Sequence, residues 1–132
     1  MEYQLSSQNE DLFQLNLGYV ADAAKAAFET LLWSEGVRDD EEVDGSVVTG
    51  ILVGVADFVN NPTVAAIIEM AGLPAEFVGH NLILSGNRHG TGFWDNVGRG
   101  GENATDEQLR MLHDYSSSFE IYQNDDEAWY MF

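Results

Sequence analysis

The sequence predicts an α+β domain, with N-terminal helices packed on a small antiparallel sheet of about four strands and a ββαββ order in the C-terminal half. Three observations lead there. Apolar residues recur at helical spacing through the first half of the chain. After Gly79 the period shortens, and short apolar runs alternate with Gly- and Asn-rich turns. One capped helix, "ATDEQLRMLHDY", interrupts those runs. At 132 residues the chain reads as a single domain, 1–132, with an irregular or weakly strand-like stretch over 1–16.

From Leu17 the set Leu17, Val20, Ala24, Phe28, Leu31 and Leu32 follows helical spacing, and Gly36 supplies a stop. An acidic loop over 37–45 follows, containing "RDDEEVDG". Val47, Val48, Ile51, Leu52, Val55, Phe58 and Val59 again favour a helix, although their β-branching leaves a buried strand open as far as Val55. Asn61-Pro62 restarts a helix, with Asn as cap and Pro in the first turn. Val64, Ile67, Ile68 and Ala71 form its inward face, and Gly72 with Pro74 ends it. The apolar stretch 46–73 is broken by Asp57, Asn60, Asn61 and Pro62. A bilayer span needs about 20 uninterrupted apolar residues, so two core helices are the better reading.

"NLILS" and "TGFWD" then read as strands of a hairpin around "GNRHG", placing Leu84 opposite Phe93 and Ile83 beside Trp94. Thr105 and Gln108 form a capping box. "SSFEIYQ" and "EAWYMF" flank an "NDD" turn. Phe119, Ile121, Tyr130 and Phe132 are expected on one face of that hairpin, and Glu120, Tyr122, Trp129 and Met131 on the other. Several strands are thus apolar on both sides, so the sheet is either covered twice or leaves a face for a partner.

Charge sets the functional class. The chain carries 23 acids against 5 Lys plus Arg, a formal net charge of −18. Residues 1–44 hold eleven acids against Lys25 and Arg38, and residues 102–132 hold eight against Arg110. Such a chain repels nucleic-acid backbones and anionic membranes, whereas a basic protein surface is steered toward it. With no cysteine, disulfides, thiolate metal sites and Cys nucleophiles are excluded, in keeping with a reducing cytoplasm. The opening "MEYQLSSQNEDLF" has no basic residue and reads as neither a signal nor a transit peptide.

The stretch "GHNLILSGNRHGTGFWDN", Gly79 to Asn96, concentrates the chemistry-bearing residues. His80, His89, His113 and Asp95 are the candidate metal ligands. The predicted hairpin holds His80 and His89 roughly 20 Å apart, so no metal is expected. No nucleophile elbow or phosphate-loop Lys accompanies Gly90 and Gly92, and no cofactor is expected. No residue is assigned a catalytic role; His80, His89 and Asp95 are the fallback set, a carboxylate orienting an imidazole. The "DDEEVDG" run lacks the spacing of a calcium loop.

The same stretch resembles the segment "GHDFWLTRNGHGAGFWDR" of a family of small proteins encoded by tailed bacteriophages. His80, Asn87, His89, Gly90, Gly92, Phe93, Trp94 and Asp95 match it, while Asn81, Ile83 and Gly86 stand where the family has Asp, Trp and Arg. "LLWSE" at Leu31–Glu35 and "YQNDDEAWY" resemble further family motifs, in the same order along the chain. The resemblance implies context: a phage protein acting in the cytoplasm of an infected bacterium. Combined with the charge, it gives the expected function. This is a host-protein inhibitor or redirector with a DNA-mimic-like acidic surface, in its most specific form anti-CRISPR or anti-restriction. The expected contact residues are Asp39, Asp40, Glu41, Glu42, Asp44, Asp125, Asp126 and Glu127, with Arg88 and His89 as a basic tip. The partner is a basic host protein or nucleic-acid-binding complex. The alternatives are a small His/Asp enzyme acting on a nucleotide and a minor virion or assembly protein.

Overall fold

The computed structural model describes residues 17–88, 91–94 and 100–131. Among them, five helices and one hairpin follow in order: α1 (Leu17–Ser34), α2 (Gly45–Val59), α3 (Pro62–Ala71), α4 (Ala75–Gly86), α5 (Asp106–Tyr115), β1 (Ile121–Gln123) and β2 (Trp129–Met131). The expected four-stranded sheet is not formed: the described sheet has two strands, and "NLILS" lies inside α4.

The misread segment is the centre of the fold. Ten of the twelve residues of α4 are buried, so it is apolar all round and lacks the one-sided period that marks a surface helix. A short continuous apolar run looks the same in a buried strand and a buried helix. Gly86, Asn87 and Arg88 then form a helix terminus, where the start of a hairpin turn was expected; His89 and Gly90 of that turn lie outside the described residues. Asn87 caps α4, and Arg88 takes a left-handed conformation with φ 58°. Phe93 and Trp94 follow in a turn. Phe93 is fully buried, its ring centroid 6.0 Å from those of Phe58 and Phe77, whereas Trp94 is 46% exposed.

Helix α1 presents Val20, Ala23, Ala27 and Leu31 inward, all with no exposed surface, and packs along α4. The small residues let the two backbones meet: a Cβ on Gly79 would stand 2.0 Å from the Ala23 carbonyl oxygen. At its end, Gly36 at φ 71° donates to the Trp33 carbonyl and Val37 to that of Leu32, which closes a Schellman motif.

Helices α2 and α3 form as separate elements bent by 76°, and no single described helix is long and apolar enough to cross a membrane. Asn61 caps α3 through the Thr63 and Val64 N–H groups, with Pro62 in the first turn. Helix α5 begins with the reciprocal Thr105–Gln108 box.

The C-terminal hairpin lies on α2. Gly50 and Gly54 leave room for Met131 and Phe119, whose atoms would stand 2.2 and 2.4 Å from an added Cβ. Its register pairs Ile121 with Met131, Tyr122 with Tyr130 and Gln123 with Trp129. That differs by one residue from the expected face assignment: Ile121 shares a face with Met131, and Tyr122 with Tyr130. The shift comes from the turn. Glu127 adopts φ 66° and donates to the Asn124 carbonyl, while the Asn124 N–H donates to the Ala128 carbonyl. This is a type I turn with a bulge, which adds one residue to the loop.

Candidate partner-binding face

The acidic segment is pinned to the hairpin. Val43 bridges Trp129 in parallel; the Trp129 N–H donates to the Glu42 carbonyl at 2.9 Å, and the Asp44 N–H donates to the Trp129 carbonyl at 2.8 Å. Val43 is also the apolar anchor of the run, packed against the core. Beside it the Gln123 amide donates to Glu41 Oε2 and to the Glu127 carbonyl, each at 2.8 Å. Residues 39–44 and 125–127, some eighty positions apart in the chain, thereby share one rim.

The carboxylates divide by what they hold. Asp44 caps α2, accepting from the Ser46 N–H at 2.9 Å, and this bond keeps it below the usual aspartate range. Glu41 accepts from the Arg38 N–H at 2.8 Å, which lowers it most; Gln123 and Arg38's charge add to this. The buried Trp129 indole N–H lies toward the same carboxylate without closing a hydrogen bond. Asp126 is lowered first by the Tyr130 hydroxyl, donated at 2.5 Å, and then by the Ala128 N–H at 3.0 Å. The same bond, with help from burial and from the charges of Asp126, Asp44 and Glu42, pushes the Tyr130 phenol up to about 12. Asp39, Asp40, Glu42, Asp125 and Glu127 are exposed. Within 37–44 and 120–131 the one basic residue is Arg38, 3.5 Å from Asp40 and 3.7 Å from Glu41.

The stacked pair Tyr122–Tyr130, with centroids 5.8 Å apart, lies on this hairpin. Sequence reasoning put the two rings on opposite faces; the turn chemistry was the signal that could have joined them. The Asp-Gly-Ser start of α2 likewise marked Asp44 as a cap.

Arg88 is not part of this rim and not a hairpin tip. It follows α4 and donates from Nη1 to His113 Nε2 at 2.6 Å, while the His113 ring tilts against Trp94 at 4.6 Å. A guanidinium only donates, so the His113 proton sits on Nδ1. His89, the second residue of the expected tip, lies outside the described residues.

Of the fallback catalytic set, His80 sits on α4, with Nδ1 2.8 Å from the Thr30 hydroxyl, whose own proton goes to the Ala26 carbonyl. His89 and Asp95 lie outside the described residues, and the hairpin that was to bring His80 near Asp95 is replaced by the helix. Among the described residues no three His, Asp or Glu side chains converge as metal ligands. No protein-family model, no curated protein and no solved structure matches the chain.

Proposed function

We propose that this protein is a non-enzymatic bacteriophage accessory protein that binds a basic surface of a bacterial host protein and inhibits or redirects it. One observation carries the reading: two acidic segments remote in sequence are fastened to one rim by backbone bridging at Trp129 and by the Gln123 amide. Solubility alone needs no such fastening, since scattered charge serves it equally well. Fixed carboxylates at set spacings are what a surface needs to compete with phosphates for the Arg and Lys of a nucleic-acid-binding groove. The resemblance of Gly79–Asn96 to the phage segment supplies the biological setting, and anti-restriction or anti-CRISPR action is its most specific form.

The test uses the tagged protein as bait in host lysate, with captured proteins identified by mass spectrometry. A basic nucleic-acid-binding protein should be retained at low salt. It should be lost as salt rises, and also lost from a variant in which Asp39, Asp40, Asp125 and Glu127 become Asn or Gln. Those four leave the Asp44 cap and the Asp126–Tyr130 bond in place. Failure of the unaltered protein to retain any basic partner at low salt would remove the reading.

A further inference from the structure

The outer edge of β1 is unpaired by any described backbone, and it lies in a groove. Hydrogen bonding alternates along the hairpin. Trp129 bonds outward to Glu42 and Asp44, and Met131 bonds outward to the Ser46 hydroxyl. Tyr130 therefore points at β1, and its partner Tyr122 points back. Ile121 and Gln123 must then present their N–H and C=O groups to the other side. The same alternation explains Phe119, whose outward N–H and C=O are met by the Asn87 side chain at 2.7 and 3.0 Å. Asn87 thus occupies the first rung of an added strand, and the next two rungs, at Ile121 and Gln123, have no protein partner among the described residues.

Two adjoining clefts of ≈ 440 and ≈ 480 Å³ run along this edge. Their walls are continuous: Glu35 and Gly36, at the end of α1, face Ile121 and Gln123 on β1. The lining is negative through the exposed Glu120 and Glu127, Glu41, and the C-terminal pole of α1. The two cations at its ends are engaged, Arg88 by His113 and Arg38 by Asp40 and Glu41.

We propose that the outer edge of β1 is a strand-addition site that takes an extended, basic segment of a partner protein, whose backbone pairs with Ile121 and Gln123 while its Arg or Lys side chains meet the acidic walls. The inference rests on the acidic-rim reading and names the element of the partner that the rim receives. The acids supply encounter and sign, and the edge supplies register.

The test uses a short synthetic peptide alternating arginine and threonine, with the same peptide carrying glutamate for arginine as its control. On binding, the amides of Ile121 and Gln123 should gain protection from hydrogen exchange, while that of Tyr122, already in the ladder, stays as it was. Gln123→Pro removes an outward N–H without touching the Tyr122–Tyr130 rung and should weaken binding about tenfold. Gln123→Ala loses the same side-chain amide but keeps that N–H, so the loss of about tenfold is read against Gln123→Ala rather than against the parent. Near-ultraviolet dichroism of the tyrosine pair reports whether each variant keeps its hairpin. Binding that is salt-sensitive but indifferent to Gln123→Pro, with no protection at Ile121 or Gln123, would overturn the strand-addition site and leave the acidic rim standing. Equal binding of the arginine and glutamate peptides, or of neither, would overturn both.

Discussion

The α4 interior and the hairpin rim are joined through Asn87 and Phe119 and are held by different forces. Helix α4 has ten buried residues and no charged residue among them, and its closest approach is a glycine against a carbonyl oxygen. The hairpin has no fully buried strand residue, and its short contacts end on carboxylates and amide side chains. The first region is specified by volume, which pH and salt barely alter. The second is specified by hydrogen bonds to carboxylates, with Asp126 exposed while it accepts from Tyr130, so a group that folds the hairpin also carries charge at the surface. Stability belongs to one and, on the proposed function, recognition to the other, a division that substitutions on either side would break.

The largest effect is expected at Gly79. An added methyl would overlap the Ala23 carbonyl, and neither helix backbone can yield without opening the α1–α4 seam. Gly79→Ala should cost about 3 kcal/mol, after the gain of up to about 1 kcal/mol that alanine brings to an open helical site. Denaturant unfolding measures it. A neutral or stabilising result would mean that α1 and α4 do not meet at this point.

Asn87 joins the two regions, since its side chain, just past α4, holds both backbone groups of the buried Phe119. Asn87→Ala leaves a buried N–H and C=O unpaired and should cost about 2 kcal/mol. Asn87→Asp keeps the acceptor and should recover part of that loss. Hydrogen exchange should show the hairpin amides opening first and the α4 amides unchanged. If both regions loosen together, the division between them fails.

What was legible in the sequence follows the same line. Local chemistry could be read: the Thr105–Gln108 box, Asn61-Pro62 and the Gly36 stop each act through neighbours a few residues away. Helix α4 could not, because a segment buried on every side carries no period. Its Gly and Asn punctuation serves a helix end as readily as a hairpin turn. Gly79 reads as flexible until its neighbour, the Ala23 carbonyl, is known. The acidic residues were visible one by one. Their convergence was not, because it depends on Val43 docking beside Trp129 across 86 positions. An isolated valine in an acidic run was the only hint of an anchor.

The smallest effect is the sharpest probe of the rim. Tyr130 ionises at about 12 rather than 10.0 because its hydroxyl is donated to Asp126 and other carboxylates stand nearby. A phenol raised in the folded state contributes stability that is complete below pH 10 and disappears between about 10 and 12. Asp126 is lowered, so its contribution is present above the ordinary aspartate value of 3.8 and is lost as the pH falls below it. The hairpin bond therefore holds between those two limits. Asp126→Asn keeps an acceptor and removes the charge, so the Tyr130 midpoint should move down toward 10.0, read as phenolate absorbance, with little change in overall unfolding. Tyr19 serves as the internal reference. Its hydroxyl is donated to the Leu73 carbonyl, and it is raised mainly by burial between helices, so the substitution should leave it alone. A Tyr130 midpoint that does not move would mean that Asp126 does not hold the Tyr130 hydroxyl, and the turn would then not fix that carboxylate on the rim.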